Sequence, residues 1–262
     1  MASEFNTILF EVADKVATIT INRPDALNAF TMEMCEEFDQ LWKQINTDDG
    51  INAVVIRAAD GRAFSTGADV KSGVSADQTT NPFYVKDPGD YLGPRSNHCW
   101  KPVIVAVHGL CCGGGFYFLN QADFVICSDE AQFFDPHVSY GMVCGVEPVG
   151  MAYRVPLQEV LRISLMGGDE RVSAQTALRI NLVSEVVAKT DLWARAHSLA
   201  SKIAAKPPSA QNTVRAIWEG LDMPRAAALN HALRLCEIGN PKAAQEIDVD
   251  AARKAAKEYE IR

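Results

Sequence analysis

Three consecutive glycines, Gly113–Gly115, form the pattern in this chain that most directly suggests chemistry. They follow the apolar run Val103–Val107 and precede the aromatic residues 116–118, which is typical of a strand that leads into a helix. Glycine at a helix start leaves backbone N–H groups uncovered, at the positive end of the helix dipole. Two such groups aimed at one carbonyl oxygen stabilise the negative charge that it gains during reaction. Tight packing of helix on strand is the other explanation of these glycines.

A second segment supplies a candidate for the other N–H group. The string AFSTGADVK, residues 63–71, comes shortly after the apolar run 53–57. Gly67 permits a sharp turn there, and Ala68 could offer its N–H. The glycine patterns of nucleotide-binding proteins, GxxxxGK[ST] and GxGxxG, are absent from the sequence. An oxyanion hole is therefore the chemical interpretation of these glycines that remains.

Composition excludes several classes of protein. The chain has 262 residues and a net charge of -8 without a long basic run, so the positive surface of a nucleic-acid-binding protein is missing. No apolar run reaches the roughly 18 to 20 residues that cross a bilayer. The N-terminus carries Glu4 and lacks a basic start, unlike a secretory signal, so we expect a cytoplasmic protein.

The cysteines favour neither a disulfide framework nor a metal site. There are seven of them, scattered and without a CxxC pair. We therefore expect buried, reduced thiols and no metal ligands.

Strands and helices are predicted to alternate through the first part of the chain. Thr31 can cap a helix in which Met34, Phe38, Leu41 and Ile45 form one apolar face. The alternation suits parallel strands with helical crossovers. Short runs rich in β-branched residues predict strands at 16–21, 53–57, 103–107 and 124–127.

Two other regions differ from this pattern. Residues 71–99 are polar and rich in proline and glycine, which predicts a functional lid or a mobile segment. Its Phe83, Tyr84 and Tyr91 either line a pocket or pack locally. From 190 onward the sequence becomes helical, with breaks expected at Pro207 and Pro208, at Pro224, and at Gly239 with Pro241. We predict a core at 1–189 and a helical region at 190–262.

Several motifs together resemble the crotonase, or enoyl-CoA hydratase/isomerase, superfamily. They occur in the family's order and spacing and cover the chain from about residue 5 to 190. The matching segments are INRPDALNAF (21–30), AFSTGADVK (63–71), KPVIVAVHGLCCGGG (101–115), ADFVICSDEAQFFDPHVSYG (122–141) and MGGDERVSAQTALRINLVSEVV (166–187).

The resemblance implies an α/β fold, a spiral of ββα turns with a C-terminal helical region that supports a homotrimer or a dimer of trimers. It also implies that Ala68 and Gly114 hold the carbonyl of an acyl-CoA thioester. Coenzyme A would be part of the substrate, with no tightly bound cofactor. Its expected contacts are the two oxyanion residues together with Arg23, Ala26, Leu27 and Asp69, the last of which we expect to be mainly structural.

The sequence departs from the family where the acid–base residues are expected. Hydratases of the family usually carry one glutamate two residues after the triple glycine and another in a Pro-Glu pair. Here Tyr117 and His137 occupy those positions. The usual mechanism with two glutamates is therefore in question.

Other residues must then supply the acid–base chemistry. His137 is the first candidate, since imidazole titrates near neutral pH. Glu147 lies close to Gly145, where related isomerases and dehalogenases keep a carboxylate, and it could orient the histidine. Tyr117 fills the space of a glutamate or donates a proton, because a phenol is a poor base at pH 7. Asp135 could hydrogen-bond to the backbone or to His137, Tyr140 could belong to the core, and His108 is expected to be structural.

Three functions are compatible with these residues. The first is an enoyl-CoA hydratase or isomerase that stabilises an enolate. The second is a histidine-dependent hydrolase that cleaves a carbon–carbon bond, of the β-diketone hydrolase type. The third is a catalytically silent acyl-CoA-binding protein.

Overall fold

The structure is a computed structural model that describes residues 5–74, 86–206, 209–254 and 260–262. The strands are short and well separated along the chain. In order, they are β1 (Ile8–Ala13), β2 (Val16–Ile21), β3 (Ala53–Ala58), β4 (Ala63–Ser65), β5 (Val103–Val107), β6 (Leu110–Cys112), β7 (Phe124–Ser128), β8 (Gln132–Phe134), β9 (Val172–Ser173) and β10 (Glu185–Val187).

The helices lie between and after these strands. In order, they are α1 (Met32–Thr47), α2 (Gly89–Leu92), α3 (Phe116–Gln121), α4 (Val146–Met151), α5 (Leu157–Met166), α6 (Ala174–Arg179), α7 (Leu192–Ala204), α8 (Ser209–Leu221), α9 (Arg225–Glu246) and α10 (Val249–Lys254).

Two sheets share the strands in a repeating way. The larger has the order β1-β2-β3-β5-β7-β10 and the smaller the order β4-β6-β8-β9. The pairs β3 and β4, β5 and β6, and β7 and β8 each give their first strand to the larger sheet and their second to the smaller. The predicted parallel pairing is confirmed between β2, β3, β5 and β7. This is the expected mixed α/β architecture of successive ββα turns.

The side chains of β5 point alternately to the two faces of the larger sheet, and a separate part of the core lies on each face. Val103, Val105 and Val107 join the main core, which also contains residues of α1 and α3. Ile104 and Ala106 face the other way and pack with residues of α7. Side chains that alternate across a strand produce this separation, and every residue of β5 is buried as a result.

Helix α1 has the predicted cap and face. Thr31 Oγ1 accepts a hydrogen bond of 3.2 Å from the Met34 backbone N–H. The predicted apolar residues are all buried, as are Cys35 and Trp42.

Three differences from the sequence predictions have local causes. Strand β1, which was not predicted, pairs with β2 through a turn in which Asp14 and Lys15 both have positive φ. A short helix, α2, interrupts the predicted loop 71–99, of which Phe83 and Tyr84 lie outside the described residues. Gly239 and Pro241 do not end a helix, because both lie inside α9. A Cβ on Gly239 would lie 2.7 Å from Asn212 Nδ2 of α8, so this glycine permits close helix packing.

The chain divides into two compact units, Met1–Ala204 and Ala205–Arg262. Helix α7 belongs to the first unit, and α8 to α10 belong to the second. The division at 189, inferred from sequence composition, stays a prediction. None of the described helices combines the length and apolar composition needed to cross a lipid bilayer.

Candidate active site

The two glycine segments predicted to bind a carbonyl lie against each other. Strands β4 and β6 pair in parallel and bring the residues that follow them together. Gly67 has φ +82°, and a Cβ on it would lie 2.7 Å from the backbone N of Gly114. Glycine is therefore required at position 67 for both its conformation and the close approach.

The backbone around Ala68 and Gly114 orients their N–H groups. Phe30 donates to the Gly67 carbonyl at 2.8 Å and accepts from the Asp69 N–H at 2.9 Å. Because these bonds flank Ala68, its own N–H points to the opposite side of the segment. Gly114 lies in the 3-10 turn Gly113–Gly115 at the entry to α3, where first-turn N–H groups have no acceptor within the helix.

Two aromatic rings enclose Gly114. A Cβ at this position would lie 2.6 Å from Cε1 of Phe30 and 3.1 Å from Cε2 of Tyr117. The two rings are themselves neighbours, with centroids 6.1 Å apart. A larger residue would displace one of them, so glycine at 114 also keeps the rings in place.

A histidine–carboxylate pair lies beside these glycines. Nδ1 of His137 is 2.5 Å from Oδ1 of Asp135, a buried carboxylate that also accepts from the His137 backbone N–H at 3.1 Å. The hydrogen bond with Asp135, followed by that with Cys144, raises the pKa of His137 to about 10. A Cβ on Gly113 would lie 3.7 Å from Cε1 of His137, so the ring is adjacent to the glycine turn.

Glu147 faces the other edge of the imidazole. Its Oε1 lies 3.9 Å from Nε2 of His137, and its side chain is only 6% exposed. Asn120 of α3 fixes the backbone here by donating to the Glu147 carbonyl at 2.8 Å. Burial raises the pKa of Glu147. The separation is too long for a direct hydrogen bond.

Tyr117 completes this cluster from α3. Its hydroxyl lies near the carboxylates of Glu147 and Asp87, and burial followed by these two carboxylates raises the pKa of the phenol. Tyr117 therefore keeps its proton at neutral pH and donates it to one carboxylate at a time. The three candidates His137, Glu147 and Tyr117 are thus brought together, although their roles stay predictions.

The residues expected near coenzyme A lie on a neighbouring turn. Ala26 ends the 3-10 turn Pro24–Ala26, and Leu27 follows it with φ +52°. Arg23 forms an ion pair of 2.9 Å with Asp69. The hydrogen bond from Arg23 lowers the pKa of Asp69. The pair ties this turn to the segment after Ala68, which agrees with a structural Asp69.

The structure adds two residues to the site that the sequence did not single out. Asp87 lies near Tyr117, and Cys144 lies near His137. Their positions depend on how separate segments fold together, so neither has a local sequence signal. All seven cysteines are free; the expectation of burial is wrong for Cys236, which is exposed, and Cys144 is half-buried.

His108 lies apart from this site, on the α7 side of β5. Its side chain lies on the same side of the sheet as those of Ile104 and Ala106. Its ring packs edge-on against Trp193, with the ring centroids 6.5 Å apart. Both ring nitrogens are buried and have no hydrogen-bond partner within the described ranges. Burial lowers the pKa of His108. Together with Trp193 and Lys189 it lines a cavity of about 240 Å³.

Replacing Asp135 with asparagine is expected to lower the pKa of His137 toward its ordinary value near 6.5. The exchange keeps the size of the side chain but removes the charge that stabilises the imidazolium. NMR titration of the His137 ring signals measures the shift, with the exposed Asp49→Asn variant as control. An unchanged His137 titration in Asp135→Asn would contradict the role of this pair.

A half-buried imidazole and a buried carboxylate lie beside two glycine turns on a ββα spiral, an arrangement that suits an acid–base enzyme. The chain belongs to the enoyl-CoA hydratase/isomerase family, since the model of that family matches residues 11–243. It is thus a lyase or isomerase of the crotonase superfamily.

Two characterised relatives and one solved structure illustrate the similarity. The chain is 34% identical to the (E)-benzylidenesuccinyl-CoA hydratase of Thauera aromatica, over 83% of this chain and 84% of that protein. It is 32% identical to the short-chain-enoyl-CoA hydratase of Clostridium acetobutylicum, over 79% and 78%. An enoyl-CoA hydratase/isomerase from Mycobacterium paratuberculosis has a TM-score of 0.86 at 35% identity, covering 99% of this chain and all of that one.

Proposed function

We propose that the protein adds water to the double bond of an enoyl-CoA thioester with Glu147 and His137 as its acid–base pair. The observation that carries this proposal is their separation of 3.9 Å between Oε1 and Nε2. Two groups at this distance can act on one water and on the adjacent carbon atoms of a substrate. They replace the two glutamates that the family usually employs.

The protonation states assign a role to each group. His137, with a pKa of about 10, carries a proton at neutral pH and serves as the general acid. Glu147 is the general base and takes a proton from water as the hydroxyl adds to the β-carbon. His137 then protonates the α-carbon. Tyr117 orients the Glu147 carboxylate through its hydroxyl.

The backbone N–H groups of Ala68 and Gly114 are proposed to form the oxyanion hole. The proximity of Gly67 to Gly114 and the direction of the Ala68 N–H support this assignment. Negative charge moves onto the thioester oxygen when the β-carbon is attacked, so fixed N–H donors lower the barrier most at that moment. Coenzyme A would then extend toward Arg23, Ala26 and Leu27, with no tightly bound cofactor.

The direct test measures loss of enoyl absorbance with crotonyl-CoA and with cinnamoyl-CoA. The second compound is included because one relative is named for hydrating an aryl-substituted enoyl-CoA. Turnover of either compound supports the proposal. Binding of both without turnover would contradict hydration and favour a silent acyl-CoA-binding protein.

Hydration is expected to show a bell-shaped pH dependence of kcat/KM. The acid His137 is competent below its pKa, so activity falls as the pH rises through about 10. Burial raises the pKa of Glu147, so the base is lost on the acidic side at a pH above the usual glutamate range. The His137→Gln variant should lose the alkaline limb. An alkaline limb that persists in this variant would assign it to another group.

A second candidate function uses the neutral form of the same histidine as a base, a form whose share grows as the pH rises toward about 10. The 2.5 Å bond between Asp135 and His137 is the arrangement that orients imidazole for attack by water on a carbonyl. A carbon–carbon hydrolase of the β-diketone type could use it without coenzyme A. Calorimetry with coenzyme A separates the two functions, since tight binding counts against a free diketone substrate.

Assembly into a homotrimer or a dimer of trimers is also proposed. Helix α5 exposes Leu157, Leu161 and Leu165, which are 67%, 48% and 70% accessible and lie along one helix face. Tyr153 and Val149 before the helix are exposed as well. An apolar surface of this kind on the first unit suits contact with another copy. A cytoplasmic location stays a prediction.

Introducing a charge into this face is expected to dissociate the assembly. Leu161→Glu would place a carboxylate in an interface that excludes water. Burying this charge costs free energy, whereas a carboxylate at an exposed position stays solvated. Light scattering after size-exclusion chromatography should show a smaller particle. Gln44→Glu on the exposed side of α1 is the control and should retain the native mass. Equal masses for both variants would place the interface elsewhere.

A further inference from the structure

Cys144 belongs to a cluster that neither hydration nor carbon–carbon hydrolysis uses in full. One ligand atom each of Asp135, His137 and Cys144 lies within 4.8 Å of the others. The thiol lies close to the imidazole of His137, and Asp135 holds the imidazole from its Nδ1 edge at 2.5 Å. A nucleophile, a base and a group that orients the base are thereby assembled in a single loop.

The backbone of this loop is well fixed. The His137 carbonyl accepts from the Met142 N–H at 3.0 Å, and the Val138 carbonyl accepts from the Gly141 N–H at 3.1 Å. Ser139 Oγ accepts from the Gly168 N–H at 2.8 Å, which braces the loop from outside. The cluster is therefore held in place by backbone contacts rather than by the reacting groups alone.

We propose that Cys144 is a nucleophile that removes the acyl group from an acyl-CoA thioester, so that the protein also hydrolyses thioesters. The inference rests on the proposed function to the extent that both place the thioester carbonyl at Ala68 and Gly114. The geometry that supports it is the position of His137, whose Cε1 is 3.7 Å from where a Gly113 Cβ would be. The histidine thus connects the glycine turn to the thiol.

The chemistry uses only groups in the cluster, the substrate and water. The thiolate sulfur attacks the thioester carbon, a new carbon–sulfur bond forms, and the bond to coenzyme A breaks. The departing thiolate takes the proton of His137, which gives free coenzyme A and an acyl-enzyme. Water then attacks the acyl carbon while neutral His137 takes its proton, and Cys144 leaves. Thioester and water become carboxylic acid and coenzyme A.

The resting charges of the cluster are consistent with this sequence. Burial raises the pKa of Cys144, so the thiol is the resting form. The neutral form of His137, whose share grows as the pH rises toward its pKa of about 10, takes the thiol proton, and the result is the imidazolium–thiolate pair that carries out the attack. Glu147 and Asp135 are the carboxylates facing this pair and favour the cation.

The experiment uses butyryl-CoA, which has no double bond to hydrate. We expect release of the coenzyme A thiol, detected with a chromogenic thiol reagent, and an acyl adduct in the intact mass of acid-quenched enzyme. Peptide mapping should place the adduct on Cys144. Cys144→Ala should abolish both signals, whereas Cys236→Ala, which removes the exposed thiol, should retain them.

Two results would overturn the proposal. One is thiol release that continues at the same rate in folded Cys144→Ala, and the other is the absence of an adduct on Cys144 in the unmodified protein. The adduct test does not require that the variant fold. Failure of hydration with crotonyl-CoA, while butyryl-CoA still acylates Cys144, would sink the hydratase proposal and leave this one standing.

Discussion

Glu147→Gln is expected to lower kcat for enoyl-CoA hydration by about 10²- to 10⁴-fold, the range for loss of a general base. Glutamine has nearly the same shape, and its amide oxygen can still accept from the Tyr117 hydroxyl. The backbone at 147 stays fixed by Asn120, so the site should keep its geometry. KM should change little, since the carboxylate acts on water rather than on coenzyme A.

Steady-state kinetics with crotonyl-CoA, or with whichever enoyl-CoA is turned over, measures this effect. Glu36→Gln removes a carboxylate from the exposed side of α1 and serves as the matched control. It should retain the kcat of the unmodified protein. A Glu147→Gln enzyme with unchanged kcat would exclude Glu147 as the base and would move attention to the Asp135–His137 pair.

Gly67→Ala is expected to reduce kcat/KM by about 10²- to 10³-fold, as for loss of one oxyanion-hole donor. The new Cβ would lie 2.7 Å from the Gly114 N and 3.2 Å from the Cys112 carbonyl oxygen, both backbone atoms. Neither can move without shifting the glycine turn. The positive φ of +82° adds strain of about 1–3 kcal/mol for a residue other than glycine.

Gly73→Ala separates these two effects. Gly73 has a similar φ of +76°, but no atom is found within 4 Å of its added Cβ in the part of the chain that the structure describes. Both variants should therefore lose stability in thermal unfolding, whereas only Gly67→Ala should lose activity. Equal loss of activity in the two would show that backbone strain, and not the contact with Gly114, is responsible.

The sequence predicted the elements whose formation depends on local patterns. The Thr31 cap, the buried face of α1 and the parallel strands β2, β3, β5 and β7 follow from side-chain spacing and from β-branched composition. Pro241 shows where such reasoning ends. A proline and a nearby glycine predict a break, yet packing of α9 on α8 keeps the helix continuous.

The site was predictable in its residues but not in its contacts. His137, Glu147 and Tyr117 were found by comparing the sequence with family motifs. The proximity of Tyr117 and Glu147 joins two separate helices, α3 and α4, and depends on how they pack. The thiol of Cys144 could not be distinguished from the buried cysteines, because nothing in its immediate sequence marks the histidine that it contacts.

The loop braced by Ser139 and Gly168 has a consequence for how this fold can change its chemistry. Asp135, His137 and Cys144 belong to one loop, which is held by the hydrogen bond between Ser139 and Gly168. Gly67 and Gly114, in contrast, follow strands of the smaller sheet. Under the proposed mechanisms, substitutions in the loop would alter proton transfer and nucleophilicity without changing the strand pairing that positions the glycines. New reactions can thus be acquired by exchanging a few loop side chains on an unaltered scaffold, which makes residues 135–147 the segment to vary in directed evolution.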